Sequence, residues 1–425
     1  MQHPAATGAS LLDWLAWQES LNPAEIDLGL DRVRQVWERL HIQPPEGRVL
    51  TVAGTNGKGS TVAAVSAVLA ANELRTGVYT SPHLVRYNER IAIAGRPASD
   101  AAIVSAFERI EAVRGDIPLT YFEFGTLAAF CCFSEAHCDA WVLEVGLGGR
   151  LDAVNIVDAD VALITTVDLD HQAWLGDDIE TIAREKAGIL RRGKPAFYGD
   201  TDVPESVQAH AADLDAQLRV LSVDYSLTRA DYSWSWQGHD ERIEGLAIPP
   251  GGAAQLRNQA LALAAVEACD PALLDVLRAE PDLLAAVLPP GRMQRHDDAH
   301  CWLLDVAHNP QAGAELADAL REHPPETVVL GMLKDKKAAD FVAALGVTPQ
   351  RWLLCPTDGP RGASAAELAE LLELHPAPRR FPGVAAALEA ARDGTPAGGN
   401  ILVCGSFSVV GPALDWLGLY SADTG

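Results

Sequence analysis

The sequence predicts an α/β protein with largely parallel sheets in two domains, and three observations predict it. The apolar run Val49-Leu50-Thr51-Val52-Ala53 leads through Gly54-Thr55-Asn56-Gly57-Lys58-Gly59-Ser60 into a small-residue helical segment from Val62 to Leu69. Strand-like and helix-like segments then alternate through most of the chain, as crossover-connected parallel strands do. Leu288-Pro289-Pro290-Gly291-Arg292 breaks that alternation and reads as a junction. It divides residues 1–291 from a smaller α/β unit at 292–425.

After the glycine loop, Thr76 to Ser81 is expected as a strand and Asp100 to Val113 as a helix. Ala140 to Val145 is a short apolar run containing Glu144, and Val161 to Thr166 is a second buried-strand candidate ending near Asp168, Asp170 and His171. Tyr232, Trp234 and Trp236 alternate with Ser233 and Ser235, the period of a half-buried, antiparallel strand whose tryptophans are core. Beyond the junction, Cys301–Val306, Thr327–Leu330, Arg351–Cys355 and Asn400–Cys404 are the expected strands. Ser364 and Glu367 have the spacing of a helix capping box. The second unit reads as Rossmann-like, but without G-x-G-x-x-G it gives no support for dinucleotide binding.

A chain of 425 residues exceeds one ordinary core. Its hydrophobic fraction of 48% and charged fraction of 21% are those of a soluble globular protein. No apolar run approaches the ~20 residues that span a bilayer. Met1-Gln2-His3-Pro4 lacks the basic and apolar regions of a signal peptide, so a cytoplasmic protein without membrane partners is expected. Seven cysteines, an odd number without C-x-x-C spacing, predict buried thiols. The net charge of −25 argues against general nucleic-acid binding. An anionic ligand must therefore meet local cations, with Lys58, Arg86, Arg90, Arg150, Lys186 and Arg292 as candidates.

Strand, glycine loop and helix together aim backbone N–H groups at a phosphate. Lys58 would add a point charge, and the hydroxyl of Ser60 or Thr61 a magnesium ligand. The usual P-loop spacing is not met: its first glycine would fall at Val52, and Gly59 follows Lys58. A plain glycine turn with an exposed lysine is the competing reading. In open α/β sheets ligands gather at the carboxyl ends of strands, where Ser81, Glu144, His171, Asp305 and His308 stand. Glu144 closes an apolar run and needs a cation when buried; magnesium beside a triphosphate and an ion pair with Arg150 both meet that need. His171 and Lys186, taken singly, are equally an ordinary polar residue and a helix-face lysine paired with an acid.

Together the residues resemble a family. Ile26-Asp27-Leu28-Gly29-Leu30, the glycine loop, Ser81-Pro82-His83-Leu84-Val85-Arg86-Tyr87 and Leu119-Thr120-Tyr121-Phe122-Glu123 carry the resemblance through the first half. Leu143-Glu144-Val145-Gly146-Leu147-Gly148-Gly149-Arg150-Leu151-Asp152-Ala153, Asp170-His171 and Glu185-Lys186-Ala187-Gly188-Ile189 continue it. Asp305-Val306-Ala307-His308-Asn309-Pro310 and Cys404-Gly405-Ser406-Phe407 complete it. In order along the whole chain, they resemble the bifunctional dihydrofolate synthase/folylpolyglutamate synthases of the Mur ligase superfamily, whose irregular P-loop spacing is also this one.

The resemblance implies a P-loop-containing, Mur ligase-like N-terminal domain and a smaller Rossmann-like C-terminal glutamate ligase domain. It implies an ATP-dependent ligase that joins L-glutamate to 7,8-dihydropteroate and then extends reduced folates through γ-linked glutamates, by way of an acyl phosphate. By matching positions, Gly54, Thr55, Asn56, Gly57, Lys58, Gly59, Ser60, Asn258, Arg292 and Asp305 would bind ATP. Ser81, Glu144 and His171, with Ser60, would bind magnesium, two ions being expected. Lys186 would be carbamylated, and His308 would act on the glutamate or phosphate side. Lys58, Glu144, His171, Lys186 and His308 form the implied catalytic set. Ile26, Asp27, Leu28, Thr120, Tyr121, Phe122, Glu123, Leu151, Asp152 and Ala153 would hold dihydropteroate, with core packing as the other reading for Tyr121 and Phe122. A monomer is expected. The competing functions are a folylpolyglutamate synthase alone, a peptidoglycan Mur ligase and a nucleotide-binding switch without ligation.

Overall fold

The computed structural model describes residues 8–21 and 27–420. Its first sheet has eight strands: β1 (Val49–Ala53), β2 (Thr76–Tyr79), β3 (Ile91–Ile93), β4 (Arg96–Pro97), β5 (Ala140–Glu144), β6 (Val161–Ile164), β7 (Pro195–Tyr198) and β8 (Gln217–Val220). They lie in the order β4-β3-β2-β5-β1-β6-β7-β8. Six of them, β2 and β5 through β8 with β1 at the centre, are parallel, and β3 and β4 add an antiparallel edge. Every residue of β1 and β5 is buried, which is why both read as continuous apolar runs.

Side chains of β1 alternate between two helical layers. Val49 joins a core with the helices Leu11–Leu21, Asp100–Arg114 and Tyr121–Glu135. Leu50 and Val52 face the helices Lys58–Ala71 and Gly252–Cys269. The three-stranded antiparallel ribbon of β9 (Ser226–Arg229), β10 (Ser233–Gln237) and β11 (Arg242–Ala247) packs into that second core. Trp234 and Trp236 are fully buried there, and Trp236 Nε1 donates to the Ala260 carbonyl at 3.1 Å. Tyr232 departs from the expected alternation: it precedes the strand and is 94% exposed.

The second sheet contains β12 (Gln294–Asp297), β13 (Cys301–Asp305), β14 (Thr327–Leu330), β15 (Arg351–Leu354), β16 (Arg379–Arg380) and β17 (Asn400–Cys404), in the order β12-β13-β17-β14-β15-β16. All but the antiparallel edge strand β12 are parallel. The capping box forms: Ser364 Oγ accepts from Glu367 N at 3.2 Å, and Ser364 N donates to the Glu367 carboxylate at 2.8 Å. All seven cysteines are free. Cys301 corrects the expectation of buried thiols: it is the first residue of β13, at the end of the sheet where the strand begins, and stays exposed, while Cys269 is half-buried. Among the described residues no helix is long and apolar enough to cross a membrane.

Candidate active site

Strand register builds the site. Val52 pairs with Glu144 and Ala53 with Ile164, so β5, β1 and β6 end level with one another. Glu144, the glycine loop and the segment 165–171 therefore emerge side by side. Ser81, two residues past the end of β2, donates its backbone N–H to Glu144 Oε2 at 3.1 Å. Glu144 is buried, and burial pushes its carboxyl above the usual range against the pull of the Lys58 charge and the Ser81 bond. Arg150 pairs with Glu185 at 2.8 Å, so the alternative reading of a Glu144–Arg150 pair is set aside.

The glycine loop needs its glycines where the backbone is approached. Gly57 has φ +85°, and a Cβ there would strike the Asn258 side chain, so this position has both a steric and a conformational reason for glycine. Gly59 lies in the first turn of the helix beside Glu144, with 3.9 Å between a Cβ built on it and Glu144 Oε1. Lys58 Nζ donates back to the carbonyls of Gly54 and Thr55 at 3.0 and 3.3 Å. Burial pulls its ammonium down, with Glu144 opposing. Ser60 Oγ accepts from Gln255 Nε2 at 3.0 Å, while the Thr61 hydroxyl is buried without a hydrogen-bond partner.

Two neighbouring cavities share Asn56, Gly57, Gly59 and Arg292. One, about 80 Å³, is bounded by Ser60, Gln255, Asn258, Asp305 and Glu315. The other, about 110 Å³, is bounded by Lys58, Ser81, Glu144, His171, Lys186 and His308. The structure thus brings together every predicted catalytic residue in one cavity and divides the predicted nucleotide residues between the two. Ser60 lines only the first cavity, apart from the other expected metal ligands.

Lys186 is 3% exposed, and among the described residues no carboxylate lies within ion-pair distance of it. Burial, reinforced by the Lys58 charge, pulls its amine down to about 7. Burial likewise pushes His171 down to about 3, so that its ring is neutral at neutral pH, and lowers His308 against the opposing pull of Asp170. His308 Nδ1 lies 2.8 Å from the Val306 carbonyl. A carbonyl can only accept, so Nδ1 carries a proton, and Nε2 faces the Asp170 carboxylate at 3.8 Å.

Sequence reasoning missed a set of residues that join the two sheets. Lys336, 2.7 Å from Asp170 Oδ1, is buried, and its Nζ is 3.5 Å from His171 Nε2. Burial opposes ionisation of Asp170, but its polar and cationic neighbours outweigh that and hold it well below the usual carboxylate range. Chief among these neighbours are the His308 side chain, whose Nε2 is 3.8 Å from Asp170 Oδ2, and the Lys336 ammonium. Asn309 and Gln311 bond the Asn56 amide, and Arg257 reaches Glu315 at 3.1 Å. Arg292 lies over the Phe407 ring, 5.3 Å from its centroid.

Of the expected pteroate segments, Ile26 lies outside the described residues. Asp27 and the buried Glu123 both pair with Arg32, at 2.8 and 3.2 Å. Thr120 and Glu123 also cap the helix Tyr121–Glu135 reciprocally. Tyr121 packs edge-on to Tyr87 at 5.7 Å, with Arg90 over its face. Phe122 and Asp152 converge on Gly146, where a Cβ would meet both. Asp152 accepts from Leu147 N at 2.9 Å and Val154 N at 3.0 Å, and burial still raises its carboxyl to about 6. Ala153 is buried and Leu151 half-buried beside it. Gly146 and Leu147 also line the larger cavity, so this group adjoins Glu144.

The donor set fits a magnesium ion completed by phosphates and water. Glu144 and Ser81 offer oxygens, and the neutral His171 has its Nδ1 buried without a partner. Among the described residues no cluster of three or more His, Cys, Asp or Glu is preformed, as is usual where substrate phosphates supply much of the magnesium shell.

This fold and site belong to the Mur ligases: residues 52–265 match the Mur ligase middle domain and residues 291–407 the Mur ligase glutamate ligase domain. The chain is 41% identical over 408 residues to the dihydrofolate synthase/folylpolyglutamate synthase of Escherichia coli, covering 95% of each. The structure of E. coli FolC in complex with DHPP and ADP superposes with a TM-score of 0.89 at 40% identity, over 97% of this chain and 98% of that one. The Yersinia pestis bifunctional enzyme complexed with AMPPNP and Mn ion gives 0.88 at 44% identity, over 98% and 100%. The chain belongs to the dihydrofolate synthase/folylpolyglutamate synthase family.

Proposed function

We propose that the protein is an ATP-dependent ligase that adds L-glutamate to 7,8-dihydropteroate, forming dihydrofolate, and further γ-linked glutamates to reduced folates. The single observation that carries this reading is the cavity at the ends of β1 and β5. It gathers Lys58, Glu144, His171 and Lys186 beneath Arg292, His308 and Phe407. A binding switch has no use for that set. Residues 1–291 would form the ATP- and pteroate-binding domain and 292–425 the glutamate ligase domain.

In the reaction, a substrate carboxylate oxygen bonds to the γ-phosphorus of ATP as the bond to ADP breaks, giving an acyl phosphate. The glutamate amine then attacks the acyl carbon, inorganic phosphate leaves, and the amine loses a proton. The protein's part is alignment and charge neutralisation. The glycine-loop N–H groups and Lys58 would hold the β- and γ-phosphates. Asn258 and Asp305 would contact the nucleoside in the smaller cavity, with Arg292 closing over both. Glu144, His171 and Ser81 would hold magnesium, which when bound would shield the carboxylate from the triphosphate. A neutral, buried Lys186 amine is suited to capture carbon dioxide, and its carbamate would be an anionic partner for the metal. His308 would act on the glutamate or phosphate side. Phe122, Gly146 and Asp152 would receive the pterin, by stacking and by accepting its N–H donors. A cytoplasmic setting and a monomeric state belong to the same proposal.

The deciding assay uses purified protein, magnesium-ATP and labelled glutamate with dihydropteroate or tetrahydrofolate. Label in both acceptors is expected. Label in tetrahydrofolate alone reduces the activity to folylpolyglutamate synthesis, and label in neither, where ATP binds, removes the ligase reading.

A further inference from the structure

Asn309 follows His308, and the ligase reading gives it no role. Its side chain is 3% exposed and fully engaged. Oδ1 accepts from Ala312 N at 2.9 Å and from Asn56 Nδ2 at 3.1 Å. Nδ2 donates to Asn56 Oδ1 at 2.9 Å and to Asp170 Oδ2 at 3.3 Å. A side-chain amide has two N–H donors and two acceptor lone pairs, so all four are used.

Only one of these bonds serves local structure: the bond from Ala312 caps the helix Pro310–Leu320. The other three cross from the loop after β13 to the loops after β1 and β6. Asn56 is held a second time from this side, donating to Gln311 Oε1 at 2.6 Å. Asp170 is held a second time as well, by Lys336 from the turn after β14. Asn309 is therefore the point through which the glycine loop, the segment bearing His171 and the second sheet are tied.

We propose that Asn309 is a positioning residue that seats the second sheet and its helices on the glycine loop, fixing Arg292 and His308 relative to Lys58 and Glu144. This rests on the ligase reading and deepens it. A cap needs a single acceptor, which serine, threonine or aspartate supplies as well as asparagine. The amide nitrogen and the reach to Asn56 are what the cap does not require. Losing them leaves the helix intact and loosens the closed arrangement, and misplacement by about 1 Å at such a site costs about 100-fold in rate.

The test uses the full chain with Asn309→Ser, which keeps a capping oxygen and loses the reach, and Asn309→Asp, which keeps the shape and faces Asp170 with a like charge. Asn309→Ser is expected to melt as the wild type does, with kcat lower by about 10- to 100-fold and KM for ATP little changed. Combining it with Asn56→Ala should cost less than the product of the two single losses, because both remove the Asn56–Asn309 pair. Asn309→Asp should lose more. Turnover of Asn309→Ser within about twofold of wild type, or losses that multiply with Asn56→Ala, overturns the proposal. If Asn309→Ser does not fold, Asn56→Ala, which cuts the same pair without touching the cap, takes its place, and its turnover within about twofold of wild type overturns the proposal. If the wild type itself does not ligate, the ligase reading falls separately. Positioning is then judged by X-ray scattering with magnesium-ADP: a less compact Asn309→Ser supports it, and identical radii of gyration overturn it.

Discussion

The Lys336 ammonium lies 2.7 Å from the Asp170 carboxylate, with their side chains 6% and 11% exposed, so a turn of the second sheet is ion-paired to the segment that carries His171. Removing one partner of a buried pair leaves the other charge uncompensated. Lys336→Met is expected to lower stability by about 3 kcal/mol and to reduce turnover through the displaced His171. Asp170→Asn/Lys336→Met should cost less than the sum of its singles. Urea denaturation of the four proteins measures this, and strictly additive losses would count against coupling.

Lys58→Ala and Glu144→Ala address the cavity itself. Lys58 contributes two bonds to its own loop and Glu144 one to Ser81, so neither change removes much packing. Each is expected to keep the fold, seen in unchanged far-UV circular dichroism, and to lose ligation by on the order of 100- to 1,000-fold or more. Unchanged turnover in either would mean that the phosphate or metal site is elsewhere.

Lys186 yields a pH-dependent prediction. Only the neutral amine reacts with carbon dioxide, and this amine is neutral above about 7, far below an ordinary lysine, because burial disfavours its charged form. Carbamate should therefore accumulate as pH rises through 7 and disappear as pH falls below it. Protein equilibrated with ¹³C-bicarbonate should show a carbonyl resonance with that profile, missing from Lys186→Gln. The same resonance in both proteins would exclude Lys186 as the modified residue.

What was legible depended on burial that a single segment reveals. Strands β1, β14 and β17 lie in sheet interiors and read as apolar runs with the observed ends. Edge strands such as β4 and β16, two residues each and exposed, present no hydrophobic period. Glu144 stood out because it ends an apolar run. Lys336, in Lys334-Asp335-Lys336-Lys337, looks like any solvated turn, and its burial arises only when two distant loops meet. Asn309 and Gln311 share that origin. The resemblance marked the segments at Thr120 and Asp152 but not that their side chains also serve as helix caps.

The tryptophan ribbon separates period from burial. Trp236 is fully buried and hydrogen-bonded to Ala260, whereas Tyr232, in the same alternation, is 94% exposed. Trp236→Ala is expected to cost about 3–5 kcal/mol and Tyr232→Ala less than about 0.5 kcal/mol, by chemical denaturation. Comparable losses would mean that the ribbon is placed wrongly.

Gly411 lies in the helix Phe407–Trp416, and a Cβ there would run into the Leu84 carbonyl. Leu84 in turn packs toward Gly291, so the loop that begins with Ser81 is clasped between the junction and this helix. Backbone cannot yield as a flexible side chain does, so Gly411→Ala must push helix and loop apart. Overpacking of this kind costs about 1–3 kcal/mol, and the displaced loop carries the Ser81 N–H away from Glu144. The variant is therefore expected to lose stability and turnover together. Gly29→Ala, where an added Cβ meets nothing within 4 Å, should leave stability unchanged. If Gly411→Ala lost stability at constant kcat, the Ser81 loop would be independent of the second sheet's helices, and closure of the site would have to be carried by the other links between the sheets, those of Asn309, Gln311, Lys336 and Arg257 among them.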